Sequence, residues 1–176
     1  MVVGVLAEGS VNLTRWIDRT QSRAQYAQSV QRRFSRWPHN NRIQPYRIYA
    51  PIVRQAFKHW QDHVVYVALD RTLLWNRYCV IRLAVVYRGR AIPLIWRVLE
   101  QNSSSVAFWH YRRLLQRAAL LLPSKVTVVL LTDRGFVHQA CWRWLHTTLG
   151  WHYDFRLKSC TWFYYQGRWR QLGRFT

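Results

Sequence analysis

The run VTVVLLTD, Val126 to Asp133, constrains this chain more than any other stretch. It reads as a β-strand that is nearly all apolar. A strand without polar alternation belongs inside a sheet, buried on both faces. Three further runs precede it. HVVYVALD, His63 to Asp70, is short, rich in β-branched residues, and ends in a carboxylate. YCVIRLAVVY, Tyr78 to Tyr87, is a second strand, and Arg88-Gly89-Arg90 turns it into a third, AIPLIWRVL. Pro93 predicts that this third strand lies at an edge or bends there.

Helical patterns fill the intervals. Asn102 and Ser103 to Ser105 offer caps for a helix that turns Phe108, Tyr111, Leu115, Ala118 and Leu122 inward, and Pro123 ends it. After Asp133, Arg134-Gly135 leads into a helix that Gly150 stops. WHYDFRLK then reads as a fifth strand, and TWFYYQGRWRQLGRF as a hairpin around Gln166-Gly167. Three meandering strands followed by helix, strand, helix, strand make a mixed α/β sheet over residues 61–176. Residues 1–60 read as a small basic helical segment. There Tyr26, Val30, Phe34 and Trp37 form an apolar stripe, with Arg32, Arg33 and Arg36 mostly away from it. Pro38 to Pro45 interrupts the pattern. A second helix is predicted from Pro51, burying Ile52, Val53, Ala56, Phe57 and Trp60.

Charge narrows the function. Twenty-seven Lys and Arg against seven Asp and Glu leave a net +20, and the only lysines are Lys58, Lys125 and Lys158. Such a surface attracts polyanions, and the arginine fork suits phosphate oxygens and guanine edges in a way lysine does not. Half of the residues are hydrophobic, which argues against a disordered polymer. The longest apolar stretch, Ala118 to Leu131, is interrupted by Pro123, Ser124 and Lys125, so a membrane span is not expected. MVVGVLAEG lacks the basic start and apolar run of a signal peptide. Cys79, Cys141 and Cys160 are odd in number and far apart, which fits a reducing cytoplasm.

Two predicted strands end in aspartate, Asp70 and Asp133. Carboxylates at the carboxyl ends of sheet strands can converge on one rim, and such groups commonly hold Mg²⁺ that acts on phosphates. Each also has a plainer use: Asp133 suits a helix N-cap and Asp70 suits the start of a turn.

The residues around them carry a resemblance. ALDRTLLW (Ala68 to Trp75) resembles the first-aspartate strand of bacterial DDE transposases of the insertion-sequence-four family. LLTDRGF (Leu130 to Phe136) resembles that family's second-aspartate motif, including the Asp-Arg-Gly-Phe turn. YDFRLK (Tyr153 to Lys158) is similar to the strand that follows, and SVQRRFSRWPHNNRI (Ser29 to Ile43) to the arginine-rich lead-in. The resemblance implies a ribonuclease H-like core that cuts and joins DNA with two Mg²⁺ ions, Asp70 and Asp133 being its first two metal ligands. It also implies duplex DNA as partner and a possible homodimer of the complete enzyme. The family's third ligand is a Glu in a Tyr-x₂-Arg-x₃-Glu-x₆-Lys pattern. Here Tyr153 and Arg156 have the spacing, but Cys160 stands at the Glu position. Glu8 and Glu100 both precede Asp133, and Asp154 is the sole acid after it. The chain therefore reads as a product truncated before the catalytic Glu and inactive by itself. Two alternatives stay open: a DNA-binding remnant without chemistry, and another ribonuclease H-like nuclease using Glu100.

Expected DNA contacts are Arg32, Arg33, Arg36 and Arg42, then Arg71 and Arg134 beside the aspartates, then Arg156, Lys158 and Arg168. Trp162 and Trp169 are candidates for stacking on unpaired bases, whereas Trp60, Trp96 and Trp142 read as core. His138, Cys141 and His146 fall near one helical face but lack a fourth zinc ligand at a credible spacing.

Overall fold

The computed structural model describes residues 7–10, 12–19, 21, 23, 26–136 and 139–174. It divides into two compact units, one ending at Ile48 and the other beginning at Tyr49. In the first, a 3-10 turn over Leu13–Arg19 meets helix α1, Ala27–Arg36. Their core is small: Trp16, Val30 and Phe34 are buried, with Leu13 and Ile17 against them. The Trp16 and Phe34 rings meet edge-on at 5.8 Å, and the Trp16 indole N–H donates to the Ser10 carbonyl. Of the expected stripe only Val30 and Phe34 are buried. Tyr26 and Trp37 are exposed. Tyr26 is the extended residue before the helix, so its side chain leaves the helical stripe, and Trp37 lies beyond the buried turn.

Helix α2 spans Pro45–Phe57, starting six residues before the predicted Pro51. Pro45 takes the first helical position, where its missing N–H costs nothing, and Pro51 sits inside the helix. The helix crosses the division between the units. In the second unit Val53 is buried, Phe57 and Trp60 are partly buried, and Ile52 and Ala56 are exposed, contrary to the predicted inward face.

The strands are β1 (Val64–Leu74), β2 (Tyr78–Tyr87), β3 (Arg90–Glu100), β4 (Thr127–Thr132) and β5 (His152–Phe155), in the order β3-β2-β1-β4-β5. The first three form an antiparallel meander, while β4 is parallel to β1 and β5 to β4. This is a mixed α/β sheet with flanking helices. Arg88 and Gly89 make the two-residue loop between β2 and β3, both at positive φ. β3 is an edge strand, and its register shifts by one residue between the pairs Leu83–Ile95 and Ala84–Pro93. Pro93 is therefore at an edge and beside a bulge, both of which excuse its missing donor.

Helix α3, Phe108–Ala119, packs on β2 and β3 and buries Tyr111, Leu114, Leu115 and Ala118. Its N-cap is Ala107, with no side-chain cap. The serines predicted to cap it fold the preceding loop instead: the Ser105 backbone N–H donates to the Ser103 hydroxyl, and the Gln101 amide donates to the Ser103 and Ser105 carbonyls. Helix α4, Gln139–Trp144, continues as a wider π turn to Leu149, and Gly150 ends it at φ 63°.

Both crossovers, β3 to β4 and β4 to β5, step the same way across the sheet. Right-handed connections then put α3 and α4 on one face, where Phe108 meets Trp144 at 5.9 Å. That face buries Val65, Val67, Leu69, Cys79, Ile81, Leu83, Val128 and Leu130. On the other face Tyr66, Asp70, Thr72, Arg82, Trp96 and Val98 are exposed, and Val129 and Leu131 are half-buried. β4 thus lies inside the sheet, as its composition requires, but only one of its faces is fully covered among the described residues. A separate hairpin joins β6 (Trp162–Tyr165) to β7 (Arg168–Gln171) through Gln166-Gly167.

Candidate metal and nucleic-acid site

β1 does not end at Asp70. It runs four residues further, to Leu74, paired with β2 all the way. What ends near Asp70 is the other pairing: the last row between β1 and β4 joins Leu69 to Thr132. The next residue on each strand is Asp70 and Asp133. Neighbouring strands lie about 4.8 Å apart, so the backbone at Asp70 and at Asp133 leaves the β1–β4 seam at the same level, while Asp133 Oδ1 lies on the side of Gly135 and Arg71. Strand alternation puts Asp70 on the uncovered face, opposite the buried Leu69.

Each carboxylate is partly engaged. Asp70 Oδ1 accepts from the Arg71 backbone N–H at 2.8 Å, and Oδ2 lies 3.4 Å from Arg82 Nη2, directly across the β1–β2 pair. Asp133 Oδ1 accepts from the Gly135 backbone N–H at 2.9 Å, an Asx turn that starts the chain toward α4. No described residue donates to Asp133 Oδ2.

Arg71 points the other way, under the helices. It donates to the carbonyls of Ser104 and Gly135 and approaches the Tyr111 hydroxyl at 3.4 Å, and its guanidinium lies 4.3 Å from the Phe136 ring centre. Gly135 is what lets it in, since a Cβ there would overlap the guanidinium. Arg71 was expected on DNA, but its donors are directed into the protein, where it ties β1 to the loop before α3 and to the turn after β4. Burial raises the Tyr111 phenol above its ordinary value, with Arg71 opposing that shift.

The other acids lie elsewhere. Glu100 pairs with Arg77 at 2.9 Å, in the row of Leu74 and Tyr78, four residues along β1 from Asp70. Asp154 pairs with Leu131, and Leu131 with Ala68, two residues short of the aspartate row. Among the described residues no group of three His, Cys, Asp or Glu side chains could hold a metal. Tyr153 packs edge-on to Trp142 at 4.9 Å, and Cys160 is exposed in a turn. His138 lies outside the described residues. Cys141 is buried, its thiol pushed up to about 11 by burial, while His146 is exposed. A thiol held neutral in apolar surroundings is a poor zinc ligand.

The expected cationic contacts are mostly on the surface. Arg32, Arg33 and Arg36 are exposed on α1 and, with Ser29 of the same helix and Trp37 and Asn40 just beyond its end, line an open groove of about 510 Å³. Arg42, Arg134, Arg156, Lys158 and Arg168 are exposed. In the hairpin, Trp162, Tyr164 and Trp169 lie on one face, with Tyr164 opposite Trp169 at 5.6 Å, and all three are well exposed. Trp96, expected in the core, is 43% exposed and meets Tyr49 edge-on. Sequence reading missed Arg82, Trp37 and Tyr164. Arg82 had a signal, being the lone charged residue in the apolar run YCVIRLAVVY.

No helix among the described residues is long and apolar enough to cross a membrane. Comparison with known protein families, curated proteins and solved structures finds no match to this chain.

Proposed function

We propose that this chain binds DNA and carries two metal ligands of a phosphoryl-transfer centre of the DDE transposase type, on a ribonuclease H-like sheet. The observation that carries the reading is the position of Asp70 and Asp133, each one residue past the last paired row of two neighbouring parallel strands. The strand order, with an antiparallel meander followed by two parallel strands, is compatible with a ribonuclease H-like arrangement.

The donor set suits Mg²⁺, which needs only one or two carboxylates and fills its remaining positions with water and phosphate oxygens. Asp133 Oδ2 has no donor among the described residues, and the Arg82 contact on Asp70 Oδ2 is long. When bound, the ion supplies neutralisation of the charge that develops in an in-line displacement at phosphorus. Arg32, Arg33, Arg36 and Arg42 would take backbone phosphates of duplex DNA, as would Arg134, Arg156, Lys158 and Arg168. Trp162 and Trp169 would stack on unpaired bases. Such work belongs in the cytoplasm, and the protein would act as a homodimer on transposon ends.

A second reading is a DNA-binding protein without chemistry. It is favoured by the absence of a third acidic group beside the pair among the described residues. Nicking of supercoiled plasmid separates the two. With Mg²⁺ or Mn²⁺ the chain should shift the plasmid on a gel and leave it uncut, since a missing ligand costs orders of magnitude in rate. Nicking that disappears in Asp133→Ala would establish a working centre and remove the second reading. A chain that fails to bind DNA at low salt would overturn the proposal as a whole.

A further inference from the structure

We propose that Arg82 is a phosphate-binding residue of the same site, held by Asp70 until a divalent cation takes the carboxylate and frees the guanidinium for DNA. The inference rests on the metal-binding reading of Asp70 and Asp133.

Three observations carry it. First, Arg82 is the register partner of Asp70, so backbone pairing fixes its place beside the carboxylate. Second, the contact is a single one, Nη2 to Oδ2 at 3.4 Å, between side chains that are 45% and 55% exposed. An exposed pair of that length is weak and easily exchanged. Third, Asp70 is the one partner of the Arg82 guanidinium among the described residues, so most of its donors face solvent. Arg71, the neighbouring candidate, has its donors turned into the protein.

A divalent ion outcompetes a guanidinium for a carboxylate because it brings twice the charge to direct contact. The displaced fork then stands next to the bound ion, on the open face of the sheet. A phosphate oxygen on the ion would place its sister oxygens within the fork's reach, a geometry that arginine matches with two parallel N–H donors. Arg82 therefore works against the ion in the free protein and with it once DNA is bound.

That change of sign is the test. Mn²⁺ binding is measured by electron paramagnetic resonance, and affinity for a short duplex by fluorescence anisotropy with and without Ca²⁺. The proteins are wild type, Arg82→Gln, Arg82→Lys and Asp70→Asn, each checked for folding by circular dichroism. Arg82→Gln should bind Mn²⁺ about three- to tenfold more tightly, having lost a competing charge. It should also lose most of the gain in DNA affinity that Ca²⁺ confers. Arg82→Lys, which keeps the charge without the fork, should bind Mn²⁺ as wild type does and keep part of that gain. Weaker or unchanged Mn²⁺ binding in Arg82→Gln, or an intact Ca²⁺-dependent gain, would overturn the inference while Asp70-dependent Mn²⁺ binding stood. If Asp70→Asn bound Mn²⁺ as wild type does, the metal-binding reading itself would fall, and the role of Arg82 with it.

Discussion

Arg71 reaches Gly135 across 64 positions of sequence, and the contact depends on a missing atom. A methyl group at Gly135 must push the guanidinium off the Gly135 carbonyl and the Phe136 ring. A charge-assisted hydrogen bond and a cation–π contact are both at stake, so Gly135→Ala should cost about 1–2 kcal/mol. In an Arg71→Ala background the same substitution should cost less than half as much, because the guanidinium is gone and only Asp133 Oδ1, 3.2 Å from the new Cβ, stays close. Urea unfolding of the four proteins checks this, and additive costs would show that Gly135 serves something other than Arg71. The contact also marks a limit of reading residues from the chain. Both short motifs are visible as strings, each with its aspartate. Which residue of one meets which residue of the other is a matter of register and side-chain direction, and no string displays it. So the string points to the arginine beside Asp70 as the DNA contact, whereas Arg82, twelve residues on, is the one that stands directly opposite the aspartate.

Among the elements, α1 has the clearest division of labour. Val30 and Phe34 bury one face, while Arg32, Arg33 and Arg36 crowd the other within two turns. Like charges so close destabilise a helix unless an anion relieves them. If that anion is the DNA backbone, replacing the three with Ala should weaken duplex binding and flatten the plot of log affinity against log salt. The slope should fall by about 0.9 for each phosphate that is no longer neutralised. Titrations between low and physiological salt read it directly, and an unchanged slope would mean a merely solvated face. The strands were legible because apolar runs and turn residues bracket them, as at Arg88-Gly89 and Gln166-Gly167. Their ends were less so. Asp70-Arg71-Thr72 looks like a polar stop, yet β1 continues through it because β2 supplies the backbone partners as far as Leu74. Helix starts suffered similarly. Pro45 and Pro51 are equally good first residues by composition, and only the packing of Ala50 and Val53 decides between them.

The whole chain carries a net charge of +20, and in its second unit the helices α3 and α4 cover one face of the sheet while Tyr66, Asp70, Thr72, Arg82, Trp96 and Val98 are exposed on the other. The meander of the first three strands and the mixed α/β sheet were legible in the sequence, and the order β3-β2-β1-β4-β5 was not. Nor was the partial cover of the second face, because apolar Val129 and Leu131 read as fully buried and are only half-buried. The same sheet has an eleven-residue edge, β3. An unpaired edge of that length is a template on which another copy of the chain can lay down a strand, the first step of aggregation. Pro93 interrupts it: it presents no N–H, the adjacent bulge twists the strand, and its carbonyl is occupied by the Tyr49 hydroxyl while Tyr49 leans on Trp96. Repulsion between highly charged copies guards the edge only at low ionic strength, where the Debye length is long. Pro93→Val should therefore leave the protein monodisperse at low salt and raise light scattering within hours at about 0.15 M, where wild type stays clear. A valine variant as clear as wild type would assign that protection to the charge alone. On this account a single proline ring near the rim of the sheet decides whether a basic chain with a long bare strand edge stays dispersed at about 0.15 M salt.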